Sequence, residues 1–108
     1  MNDICFEILE QNDIGAVATC DQCDQLHVEI GAFTSVLNKD AFSDICTYLT
    51  SMIPIINDLL VKTPSSEKVL IPVGSNNFLS LTESEFYKVT ELFQMAHHML
   101  CARNILQL

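Results

Sequence analysis

The stretch Leu26-His27-Val28-Glu29-Ile30-Gly31, continued by Ser35-Val36-Leu37 and Asn38-Lys39-Asp40-Ala41-Phe42, decides the fold, because its features return in the same order further along. The second copy reads Val69-Leu70-Ile71-Pro72-Val73-Gly74, then Phe78-Leu79-Ser80-Leu81, then Thr82-Glu83-Ser84-Glu85-Phe86. In each copy a period-two apolar run closed by Gly reads as a strand, and a polar turn leads to a second short apolar run. Each copy therefore begins as a hairpin. A helix start follows: the N-cap candidates Asn38 and Thr82 stand between a Leu at N′ and a Phe at N4, a hydrophobic staple used twice. Thr82 and Glu85 add capping-box spacing.

Beyond each cap the apolar residues recur at helical spacing. They are Phe42, Ile45, Leu49, Met52, Ile53 and Ile56 in the first copy, and Phe86, Val89, Phe93, Ala96 and Leu100 in the second. Each helix thus turns one face to a core. Pro54 has no N–H for the carbonyl of Thr50, so the first helix is expected to kink there or to end and restart. Ahead of the repeat, Ile4–Leu9 and Ile14–Thr19 read as a further hairpin about Gln11-Asn12-Asp13. The expected fold is α+β: one mostly antiparallel sheet with two helices on one face, built from two hairpin-helix (ββα) copies behind an N-terminal hairpin. One domain spans residues 1–108: the N-terminal hairpin with its CxxC at 1–24, the first ββα unit at 25–61, a connector at 62–68, and the second unit at 69–108.

Composition excludes several functions. The chain has 108 residues, 49% of them apolar, with 5 Lys+Arg against 14 Asp+Glu, a net charge of −9. Asp3, Glu7, Glu10, Asp13, Asp21, Asp24 and Glu29 all precede the first base, Lys39, and the five basic residues are scattered singly. Nucleic acid and anionic membrane surfaces would be repelled. No apolar run is long enough to span a bilayer, and the start Met1-Asn2-Asp3 lacks the basic region and apolar run of a signal peptide. Five Cys in such a chain point to reduced thiols and a cytoplasmic location.

Cys20-Asp21-Gln22-Cys23 is the motif with a mechanism, since two thiolates at that spacing chelate a zinc ion. The sequence offers His97 and Cys101, one helical turn apart, to close the site, with Cys5 in reserve. The expected metal ligands are Cys20, Cys23, His97 and Cys101, and the expected cofactor is a structural zinc. The other reading stays open beside it: Cys5, Cys46 and Cys101 as small core residues, and His97 packed where the first copy has Ile53. A redox CxxC needs a helix N-terminus, whereas this one precedes a strand and carries Asp21 and Asp24, which raise thiol pKa. There is no nucleophile elbow, P-loop or dinucleotide fingerprint. Glu83 and Glu85 belong to a first helical turn, where they favour the macrodipole.

The run from Cys20-Asp21-Gln22-Cys23 into Leu26–Gly31, a strand ending at Leu37, and Phe42 opening a helix resembles a family of small uncharacterised proteins from Bacteroidota. The likeness covers about the first half, and the second copy matches loosely. It implies no activity, and implies that the CxxC is a metal half-site. Ala32-Phe33 departs from that family's pattern, in which an Asn-like turn residue tends to follow the Gly.

Two functional expectations follow. The first is a non-enzymatic cytoplasmic interaction or scaffold domain, dimeric through Leu92, Met95 and Met99, which lie opposite the core stripe of the last helix. In the competing arrangement that helix is central, and Ile55–Val61 or the tail from Ile105 covers it within one chain. The second expectation is a small-molecule-binding or catalytic domain with a pocket between sheet and helices. His97 or His98 would be its polar group, and Ser75, Asn76 and Asn77 would line its mouth.

Overall fold

The computed structural model describes residues 6–20, 25–62, 69–73 and 77–106. Strands β1 (Phe6–Gln11), β2 (Gly15–Cys20), β3 (Gln25–Ile30) and β4 (Phe33–Asn38) lead into helix α1 (Lys39–Lys62). A second hairpin, β5 (Val69–Pro72) and β6 (Phe78–Leu81), leads into helix α2 (Glu83–Leu106). The first four strands form an antiparallel sheet in the order β1-β2-β3-β4, and β5-β6 is a separate antiparallel pair. The α+β class and the two hairpin-helix units are as expected. The single sheet is not. α1 leaves β4 directly and runs for 24 residues, about 36 Å at 1.5 Å per residue, before the chain reaches β5, which pairs with β6 alone.

Both helix starts follow their sequence signals. The Asn38 side-chain oxygen accepts from the Ala41 N–H (2.7 Å). In the second copy the Thr82 hydroxyl accepts from Glu85 N–H (3.2 Å), and the Glu85 carboxylate accepts from Thr82 N–H (2.9 Å), a closed capping box. Leu37 with Phe42, and Leu81 with Phe86, are all buried, so each staple ties its strand to its helix inside the core. Pro54 lies within α1, which continues through it as one helix.

The inner face of the sheet is set by register. Thr19, Leu26 and Leu37 form one cross-strand row, and Val17, Val28 and Ser35 the next. The register of β1 shifts between Ile8 and Glu10, and Leu9, next to the exposed Ile8, is buried in the core. α2 lies chiefly on β1 and β2, and α1 on β4 and β3. Gly15 permits close strand contact there: a Cβ on it would stand 1.9 Å from the Glu29 carbonyl oxygen. Gly31, at φ 60°, takes the left-handed position of the two-residue turn between β3 and β4.

Two polar clamps orient α2. At the β1–β2 turn, Asn12 accepts from the N–H groups of Ile14 and Gly15 and donates to the Lys88 carbonyl (3.0 Å). The Lys88 ammonium meets the Asp13 carboxylate at 2.6 Å, a hydrogen bond that holds the Asp13 carboxyl below its usual range. Fifteen residues on, Arg103 pairs with Glu7 at 2.7 Å. The helix therefore runs antiparallel to β1.

The buried residues of α2 include Phe86, Val89, Phe93, Ala96 and Leu100, as its period predicts, together with Thr90 and Leu92. From Leu92 round to Thr90 this is an arc of about 160° at 100° per residue. α2 touches the sheet and α1 at once, and so needs more than one stripe. Leu92 is 1% exposed and belongs to the core of its own chain, which corrects its assignment to an interface between chains. Met95 and Met99, 44% and 45% exposed, do face outward. Ile55 is exposed as well, whereas Ile56 beside it is buried in the core. No described helix is long and apolar enough to cross a membrane.

Thr82→Ala removes one side of the capping box while leaving the staple, and should lower unfolding free energy by about 1 kcal/mol in a denaturant titration. A change well under half of that would show that the staple alone fixes the start of α2.

Candidate functional site

The helices meet where Phe42 and Cys46 of α1 face Phe93 and His97 of α2. The Phe42 and Phe93 rings stack with centroids 5.0 Å apart, and the His97 ring lies 6.5 Å from Phe42. Beside this contact the two helices line a groove of about 760 Å³. α1 lines it with Ser43, Cys46, Thr47, Thr50 and Ser51, residues that repeat at one helical face. α2 lines it with Gln94, Met95, His97 and His98. The large concavity thus opens between the helices on their solvent side. The space beneath them, between helices and sheet, is filled by Phe42, Phe86, Phe93, Leu26 and Leu49, so the expected pocket is displaced.

Three hydroxyl protons of the groove are turned inward. Thr47 donates to the Ser43 carbonyl, Thr50 to that of Cys46, and Ser51 to that of Tyr48. Their oxygens remain as acceptors, and the Thr50 oxygen takes the Gln94 amide N–H at 2.9 Å. That bond ties the two helices across the floor.

Cys46 is buried against α2, and its thiol donates to the Phe93 carbonyl at 3.6 Å. Burial first, and the neighbouring Cys101 thiol second, push its pKa from 9.0 to about 12. It is a neutral S–H at any physiological pH and a poor nucleophile. Cys101 is exposed, with its sulfur 3.9 Å from His97 Nδ1. The sequence-expected convergence of His97 and Cys101 is therefore present.

Cys20 does not join them. It ends β2 immediately after Thr19, whose side chain lies in the helix-covered row, and strand alternation sends Cys20 to the opposite face. Cys23 and Cys5 lie outside the described residues. Among the described residues no three His, Cys, Asp or Glu side chains form a group able to hold a metal ion. Ser75 and Asn76 also lie outside the described residues, and Asn77 is exposed.

On the sheet face away from the two helices lies a row that the sequence pattern did not single out. Register aligns Ile8, Ala18, His27 and Val36 across four strands. Ile8 and Val36 are more than 45% exposed, and His27 is half-buried between them. The available signal was spacing: His27 follows Cys23 by four residues.

The chain belongs to a family of unknown function, DUF6686. The family model matches residues 2–107, nearly the whole chain, and so covers the four-stranded sheet, the second hairpin and both helices as one unit. No curated protein and no solved structure matches the chain. The family brings no activity with it, and the chemistry of the groove and of the uncovered sheet face has to be read from the residues themselves.

The raised pKa of Cys46 makes folding pH-dependent in a stated direction. An acid whose pKa is higher in the folded state stabilises the fold fully below its unfolded pKa, near 9, and loses that contribution as pH rises toward 12. Thermal melts from pH 8 to pH 11 should therefore fall less steeply for Cys46→Ala than for the parent protein. Parallel slopes would show that the thiol is not shielded from water.

Proposed function

We propose that this protein is a non-enzymatic interaction domain of the cytoplasm whose contact surface is the groove between α1 and α2, and whose partner there is a second copy of the chain. The observation that carries this reading is the charge of the groove. In a chain of net charge −9, its lining contains no Asp, Glu, Lys or Arg. Two strongly acidic copies repel unless they meet on a surface low in charge, and charged residues are depleted at the centres of protein contacts. Met95 on the groove wall and Met99 one turn beyond it provide adaptable apolar contact, and a two-fold axis lets the same patch serve both chains.

A small-molecule site with His97 or His98 as its polar group has weaker support. Such sites bury most of their ligand, whereas this groove is open along its length. The three inward-turned hydroxyls and the protonated Cys46 thiol are also poor nucleophiles as they stand.

Light scattering at micromolar concentration should give twice the mass of one chain. Met95→Glu should halve that mass while circular dichroism and the melting transition are retained. The mass of one chain for the parent protein, or an intact dimer in Met95→Glu, would refute the groove as the self-contact.

A further inference from the structure

We propose that the outer edge of β4 is a docking site at which a basic, extended segment of a partner protein pairs as a fifth strand of the sheet. This edge lies apart from the helix groove, and its use does not depend on self-contact there.

A strand at the end of a sheet turns a row of backbone N–H and C=O groups outward, and another extended chain completes that row. In the order β1-β2-β3-β4 the end strands are β1 and β4, and among the described strands each has one partner. The two edges differ in protection. β1 carries Glu7 and Glu10, and its register shifts between Ile8 and Glu10. Arg103 of α2 pairs with Glu7 there. Charge and an interrupted register are among the usual means of keeping a foreign strand off an edge. β4, Phe33-Thr34-Ser35-Val36-Leu37-Asn38, has neither: it contains no charged residue and no Pro, and its register with β3 is unbroken over all six residues.

Side chains and charge define the incoming strand. Alternation puts Thr34, Val36 and Asn38 on the sheet face away from the helices, and all three are exposed. A fifth strand therefore sets an apolar residue against Val36, with polar residues against Thr34 and Asn38. Lys39 and Asp40 follow β4 and offset each other, so the exposed Glu29, directly opposite Thr34, sets the sign of the charge beside the edge. The whole chain carries −9. A segment ending in Lys or Arg is attracted there, whereas a second copy of β4 brings the same negative charge with it. Six paired residues make a contact only about 20 Å long, too short to hold two such copies against that repulsion. The repulsion thus protects β4 from its own copies and leaves it open to a basic strand.

The test is amide hydrogen exchange of the parent chain with a synthetic peptide of alternating Val and Thr that has Lys at both ends. Exchange of β4 amides should slow when the peptide is added, while that of β1 amides stays as it was. The same peptide methylated at its backbone nitrogens cannot complete the pairing and should leave β4 unchanged, as should a version with Glu in place of Lys. Val36→Lys sets a like charge against the peptide and should weaken its binding, read by fluorescence anisotropy, about tenfold or more. Glu29→Gln removes the exposed carboxylate without altering β4 and should weaken binding severalfold; it decides the matter should Val36→Lys fail to fold. Met95→Glu, on the groove, should bind as the parent does, which separates this edge from the self-contact. No slowing at β4, equal slowing at β1, equal protection by the methylated or Glu-ended peptide, undiminished binding to a folded Val36→Lys or to Glu29→Gln, or loss in Met95→Glu would overturn the proposal.

Discussion

The stack of Phe42 on Phe93 is the contact on which the arrangement depends. An antiparallel sheet of four strands with one apolar face must be covered, and one helix is too narrow to cover it. α1 and α2 divide the face between β3–β4 and β1–β2, and these rings close the seam where the helices meet. Phe42 is also the residue stapled to Leu37, so the ring that joins the helices is fixed to the end of β4 by the first turn of α1. The groove follows from the same contact. The same helices that meet at Phe42 and Phe93 are joined by the bond between Thr50 and Gln94, and they line the concave surface free of Asp, Glu, Lys and Arg.

Local signals in the sequence were the most legible. Caps, staples and period-two runs are decided by neighbours a few residues away, and both helix starts, both β-hairpins of the repeat and the N-terminal hairpin fall where those signals put them. The separation of β5-β6 from the main sheet was not legible, because it depends on where the far end of a long helix delivers the chain. Leu92 was misread for a related reason. A single core stripe presumes one neighbour, and α2 has two, so a residue opposite one edge of the stripe is still inside the molecule.

The candidate site divides in the same way. The pairing of His97 with Cys101 was readable from helical spacing and is present at 3.9 Å. Its expected meeting with Cys20 required knowledge of which sheet face α2 covers, and sequence spacing alone does not contain that. His27 was passed over because, on a strand of alternating pattern, an outward residue is ordinarily a solvated one. Register places it diagonal to Cys20 on the sheet face away from the helices.

The central claim is that Phe42 and Phe93 act as a unit holding the two helices together. A double-mutant cycle with Phe42→Leu, Phe93→Leu and the double variant, measured by denaturant unfolding, tests it directly. A coupling energy of about 0.5–1.5 kcal/mol is predicted, the range for aromatic pairs beyond their buried area. Single losses that simply add would contradict the account and leave the helices held by the sheet alone.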